Sequence, residues 1–256
     1  MAVTLSNESS LGRRQAEIAR ELALFKRLRI AEWSGAVLCL AAGILIKLSG
    51  GGVHMLVLGA ILVFIALGHE TRRRESEREF ADAESVLGAK KDVARLLDEK
   101  LANDHFVLND LHLKVGREKC WIDHLVVAPS GIFVLNTLNW SGKIIGDTSK
   151  QAHVWKIRSP DGKIRPARNP VGRTLRERRI LCNWLKGTSL IWERVYPVVV
   201  IANPQAEIAV ANAERRVLTP DQTVNFVNDF CFEKPVLSAA EVEKLAKGLN
   251  EQQAPS

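Results

Sequence analysis

Trp121-Ile122-Asp123-His124-Leu125-Val126-Val127 sets one carboxylate inside an otherwise apolar run. An ionised acid taken out of water is costly unless a metal, a base or hydrogen-bond donors take up its charge. Pro129-Ser130-Gly131 then reads as a turn, and Ile132 to Asn136 as the strand that returns antiparallel. Asp123 and Asn136 are therefore expected side by side near one end of a hairpin. Strand alternation sets Asn136 and Leu138 on one face and Thr137 on the other. His124 falls opposite Asp123 if the strand is regular, and reads as a core or surface histidine rather than a ligand. His105 and His153 have no partner at metal-ligand spacing. Cys39, Cys120, Cys182 and Cys231 form no CxxC pair and read as reduced thiols in a cytosolic setting.

Charge is the second chemical signal. The chain carries a net +7, which favours acidic partners. Between Asp110 and Arg194, sixteen Lys and Arg stand against seven Asp and Glu, a net +9 that exceeds the charge of the whole chain. Lys156, Arg158, Lys163, Arg165 and Arg168 fall on an expected hairpin, and Arg173, Arg176, Arg178 and Arg179 on a helix after it. Such density suits phosphate contacts, so DNA or RNA is the expected partner. The anionic inner leaflet of a membrane is the rival. Trp140, Trp155 and Trp184 read first as core residues, with base stacking the alternative.

These side chains need a scaffold, and 256 residues suffice for one sizeable domain plus extra elements. Ser85 to Leu101 reads as a helix with Val86, Val93, Leu96, Leu97 and Leu101 on one side. Strands are expected at Phe106–Val115, Cys120–Val127, Gly131–Leu135 and Val195–Ile201. Thr219-Pro220-Asp221-Gln222 and Ser238-Ala239-Ala240-Glu241 are capping-box starts for C-terminal helices. Helix, strands, then helix and strand again give an α/β class.

Residues 30–68 hold two apolar runs, Trp33–Leu48 and Val53–Gly68, joined by Ser49-Gly50-Gly51-Gly52. A spanning helix needs about 20 apolar residues; each run comes close by borrowing flanking residues. Arg13, Arg14, Arg20, Lys26, Arg27 and Arg29 precede them, and Arg72, Arg73, Arg74 and Arg78 follow. Basic residues on both flanks predict a two-helix transmembrane hairpin in the inner cell membrane, with both termini and the globular domain cytoplasmic. A buried hairpin in a soluble core is the alternative. Residues 1–29 read as a basic amphipathic segment for a lipid surface, or an ordinary charged helix. Residues 69–86 read as a charged helical connector.

The order Gly88…Asp92, Phe106-Val107-Leu108-Asn109-Asp110-Leu111, Ile122–Val127, Gly131–Leu135, Asn139-Trp140-Ser141-Gly142, Trp155 and Asn169-Pro170 resembles the NERD (nuclease-related) domain. That family is similar to the PD-(D/E)xK, restriction-endonuclease-like superfamily. The resemblance covers roughly residues 88–185 and implies a mixed sheet flanked by helices over residues 87–205; the two capping boxes place a C-terminal helical extension over 206–256 after it. The resemblance also implies a Mg²⁺ site of two carboxylates, with a lysine two residues past the second. Carried over by position, the first acid falls at Asp123, the second at Asn136 and the lysine at Leu138. The helix acid falls at Asp92, and a family glutamine at Arg173. Asp123 and Asp92 are then the remaining metal-ligand candidates. Asn is a weak neutral ligand and Leu has neither charge nor lone pair, so nuclease activity is expected to be absent or very weak. A displaced lysine, with Lys143 nearest in sequence, would instead leave an active enzyme. A membrane scaffold using protein contacts alone is the third reading.

Overall fold

The computed structural model describes residues 3–6, 20, 23, 44, 81–149, 152–186, 194–213, 216–230 and 235–251. Contacts divide the chain into Met1–Ser10 with Ser85–Ser256, and a second unit, Leu11–Glu84. Of the second unit, residues 20, 23, 44 and 81–84 are described, and all are helical. The expected membrane hairpin therefore lies outside the described residues, Ile44 excepted, as does most of the amphipathic segment. Among the described residues, no helix is long and apolar enough to cross a membrane.

Runs of Val, Ile and Leu between turn residues form the strands of the first unit. In chain order these are β1 (Val3–Ser6), β2 (Phe106–Val115), β3 (Glu118–Ala128), β4 (Gly131–Leu138) and β5 (Gly142–Asp147). They continue with β6 (Val154–Arg158), β7 (Ile164–Arg168), β8 (Val195–Ile201), β9 (Ala206–Ala211) and β10 (Val217–Leu218). The helices are α1 (residues 81–100), α2 (Val171–Trp184), α3 (Pro220–Phe230) and α4 (Ala239–Glu251). One sheet has the order β1-β2-β3-β4-β8-β10, and a second has β7-β6-β5-β9. The first sheet is mixed: β2, β3 and β4 pair antiparallel, whereas β4–β8, β8–β10 and β1–β2 are parallel.

Alternation along the central strands feeds cores on both faces. Ile132 and Val134 of β4 join Ile180 and Leu181 of α2 and Val242, Ala246 and Leu249 of α4. Phe133 and Leu135 of the same strand join Val93 and Leu97 of α1 and Val224, Val227 and Phe230 of α3. A third core, around Ile144, Trp155, Val199 and Ile201, fastens the second sheet to the first. Trp155 is fully buried there, and its indole N–H donates to the Asp147 carbonyl at 2.9 Å. Gly146 makes room for it: a Cβ at that position would lie 2.5 Å from the indole ring.

Both expected capping boxes form. The Thr219 N–H donates to Gln222 Oε1 at 2.9 Å and the Ser238 N–H to Glu241 Oε2 at 2.8 Å, with the reciprocal bonds at 3.4 and 3.3 Å. The expected helix, the four expected strands and the basic hairpin are also present, the hairpin as β6–β7. The C-terminal stretch departs from expectation. Residues 206–256 begin with β9 and β10 rather than with helix. β9 pairs in parallel with β5, more than sixty residues earlier in the chain, so no local turn signal announces it. The pairing of Val3–Ser6 with Phe106–Asn109 is unannounced for the same reason.

Candidate functional site: a buried ion-pair cluster at Asp123

Strand alternation slips at Asp123. On β3 the first core receives Cys120 and Ile122, then Leu125 and Val127; on β2 it receives Leu113 and Leu111, then Leu108. Each strand thus takes one three-residue step, spanning Asp123–His124 and Asn109–Asp110. The ladder pairs Asn109 with His124 and Leu111 with Ile122, and skips the rung between them. Asp110 absorbs the slip with φ 54°, a left-handed conformation that Asp tolerates better than most residues. The regular strand assumed for His124 is therefore not what forms. His124 is buried, with Nδ1 2.7 Å from Asn109 Oδ1, and burial lowers its pKa to about 4. At neutral pH it is an uncharged part of the sheet.

The Asp123 side chain is 2% exposed and surrounded by donors. Lys90 Nζ of α1 lies 2.6 Å from Oδ1, and the Thr137 N–H of β4 donates to Oδ2 at 2.9 Å. Arg173 Nη2 of α2 sits 3.6 Å from Oδ1. The Arg173 Nε–H donates to Glu177 Oε1 at 2.8 Å, and Asn136 Nδ2 donates to Glu177 Oε2 at 2.9 Å. The cluster therefore runs Lys90, Asp123, Arg173, Glu177, Asn136 across two helices and two strands. Two cations alternate with two acids. Burial raises the Glu177 carboxyl to about 7, against the opposing pull of Arg173. Burial, and then Glu177, push the Cys120 thiol up to about 12, so it stays protonated and unreactive.

Asp123 and Asn136 both lie one position beyond the His124–Leu135 rung of the hairpin, and both join the cluster, Asn136 through Glu177. Asp92 does not join them: its carboxylate is 71% exposed and accepts from Arg95 Nη2 at 3.0 Å. At about 100° per residue, it lies roughly 200° round α1 from Lys90. Lys90 shares the inner stripe with Val93 and Leu97, and so is the helix residue that reaches Asp123. Leu138 packs into the third core beside Ile144 and Trp155. Lys143 is engaged with Glu207 on the second sheet. Asn139 Nδ2 donates to Ser85 Oγ at 2.6 Å and fixes the end of β4 to the start of α1. Asn169 accepts the Val171 N–H at 3.0 Å and donates to the Ala152 carbonyl at 2.6 Å, tying the start of α2 to the strands before it.

The basic residues divide into two groups. Lys156, Arg158, Lys163, Arg165 and Arg168 are exposed on β6–β7, with Lys163 paired to Asp161 at 2.9 Å. Arg173, Arg176 and Arg179 reach back to β3: to the Trp121 carbonyl at 3.2 Å, the Lys119 carbonyl at 3.4 Å and Glu118 at 2.5 Å. Trp155 and Trp140 meet edge to face in the third core, and Trp184 packs against the first. The two site residues missed by sequence reasoning, Lys90 and Glu177, left a signal. Each is a charged residue on the buried stripe of its helix: Glu177 with Val171, Thr174 and Leu181, and Lys90 with Val93 and Leu97.

Residues 85–202 match a family model described as NERD, nuclease-related domain. No curated protein and no solved structure gives a significant match.

Breaking a buried ion pair on one side costs about 3–5 kcal/mol, because it strands the other charge. Lys90→Met is therefore expected to destabilise the protein by about that much in urea unfolding. The double change Lys90→Met with Asp123→Asn is expected to recover most of the loss; additive losses would refute the pairing. Glu177 also sets a pH dependence. Its folded pKa near 7 lies above its unfolded value of 4.5. The stability it contributes is fully present below pH 4.5 and is lost as pH rises to about 7. Relative to Glu177→Gln, wild type should lose up to about 1.4 kcal/mol per pKa unit across that window. Parallel stability curves for the two proteins would contradict this.

Proposed function

Residues 85–202 form a nuclease-related (NERD) domain, and from that premise we propose that the protein is a membrane-anchored nucleic-acid-binding protein with absent or very weak catalysis. The observation that carries this reading is the Lys90 ammonium, 2.6 Å from Asp123, in the place where a restriction-endonuclease-like site would put a divalent cation. The mixed sheet flanked by helices, with Asp123 and Asn136 one position beyond the His124–Leu135 rung of β3 and β4, supports the comparison with such sites.

Mg²⁺ does not fit these residues. It needs oxygen ligands in near-octahedral array, several of them free to face it. Both Asp123 oxygens are held by Lys90 and the Thr137 N–H, and both Glu177 oxygens by Arg173 and Asn136. Two cationic side chains would repel the ion. Asn136 Oδ1, buried and without a hydrogen-bond partner among the described residues, is a single neutral donor. No water-activating step is assigned to the cluster. Binding is supported by the exposed cations of β6–β7 and by the net +9 of residues 110–194. Anchoring at the inner cell membrane is supported by the apolar runs within residues 30–68 and their basic flanks.

A second reading draws on the same lysine. Lys90 lies in one cluster with Asp123 and Glu177, the position a displaced lysine of an active nuclease would need, but that reading requires the Lys90–Asp123 ion pair to open first.

The full chain in detergent, offered labelled DNA and RNA, is expected to bind with log K falling by about 0.7–0.9 per neutralised phosphate as log salt rises. No cleavage is expected in Mg²⁺ or Mn²⁺. Metal-dependent cleavage abolished by both Asp123→Ala and Lys90→Ala would establish the second reading. Absence of binding at low salt would leave only a scaffold role. Reporters fused to either terminus are expected on the cytoplasmic side; an external signal from one of them would refute the two-span anchor.

A further inference from the structure

The β2–β3 ribbon extends past its neighbours in the sheet. Among the described residues, β1 pairs with Phe106–Asn109, and β4 pairs with β3 from His124 onward. Residues 111–115 and 118–122 therefore form a two-stranded arm closed by Gly116, with φ 60°, and Arg117. Its inner face is apolar: Leu111, Leu113, Cys120 and Ile122 enter the first core. Its outer face is different in kind. Lys114 lies directly opposite Lys119, and both are exposed. On the next outward-facing rung, His112 lies opposite Trp121, with ring centroids 4.4 Å apart and planes at 5°. Trp121 remains 54% exposed.

Like charges directly opposed on a ladder destabilise it, and an indole half in water forgoes part of its burial energy. Both features are costs to the isolated fold, and both are recovered against one kind of partner. A phosphate between Lys114 and Lys119 neutralises the repelling pair. A base on Trp121 extends a stack that His112 already begins. The two rungs are about 7 Å apart at strand rise, within the reach of one nucleotide. Bases of a duplex are already stacked on each other and cannot be offered this way, whereas those of a single strand can. Beside this face the Arg173 guanidinium, half exposed, bonds the Trp121 carbonyl and leads on to the Asp123 cluster.

We propose that the outer face of the β2–β3 arm is a single-stranded nucleic-acid track, with phosphate held at Lys114 and Lys119 and a base stacked on Trp121. The proposal rests on the nucleic-acid reading above and adds its strand class and its place on the fold.

The test is fluorescence anisotropy of the full chain in detergent with a labelled single-stranded oligonucleotide. Its duplex and anionic lipid vesicles serve as competitors. Wild type should prefer the single strand. Trp121→Ala should weaken that binding roughly 5- to 150-fold, the range for loss of one stacked base, while Trp121→Phe keeps most of it. Lys119→Ser should lower the salt slope by about 0.7, one phosphate on a single strand. Lys114→Ser should raise the melting temperature while weakening binding, because it relieves the opposed charges. Equal affinity for the duplex with no effect of Trp121→Ala would overturn the proposal. So would a Lys119→Ser variant that loses vesicles but keeps oligonucleotide. If wild type binds no nucleic acid, the broader functional reading fails first; if it binds and these variants do not matter, only this track fails.

Discussion

A carboxylate inside a β-sheet has to be neutralised, and the geometry around Asp123 follows from that requirement. Its two oxygens take an ammonium from α1 and an amide N–H from β4, with a guanidinium from α2 nearby. Three separate elements must therefore arrive within a few ångströms of one point on β3. Helices on opposite faces of the sheet are registered against each other by that point as well as by the apolar cores. Glu177 extends the logic, since its own burial is supportable because Arg173 and Asn136 donate to it.

The slip in alternation at Asp123 and Asp110 belongs to the same problem. A regular strand would carry a single face through the hairpin. With the slip, the apolar set beyond Asp123 still meets the first core, and one charged residue is accommodated at the break. Asp110 adopts φ 54°, a strained conformation for a residue other than glycine.

Much of this was readable in the sequence. The apolar strands, the turn at Pro129–Gly131 and both capping boxes rest on short-range patterns, and all appear where those patterns place them. The pairing of Asp123 with the Asn136 region follows from one hairpin. The partners on helices were harder. The family resemblance points to Asp92, but helix phase turns it to solvent and brings Lys90 inward. Reading the buried stripe first, and asking next which charges lie on it, would have named Lys90 and Glu177. β9 and β1 could not be found this way, because their partners are distant in sequence and nothing local marks the pairing. Trp140, Trp155 and Trp184 are the tryptophans that the sequence offers for stacking, yet the fold uses them as packing and leaves Trp121 exposed.

The alternation of charges from Lys90 through Asp123 and Arg173 to Glu177 has a consequence for how this chain can vary. Lys90 and Asp123 are the tightest and most buried pair, so a change at either one leaves a buried charge without its closest counterpart, whereas Arg173 is half exposed. Converting the cluster to a metal centre would require the ammonium at residue 90 to leave and a second acid to appear together, since either step alone passes through a less stable protein. The arrangement therefore behaves as a ratchet in sequence space: once the lysine is seated, single substitutions are channelled toward keeping it.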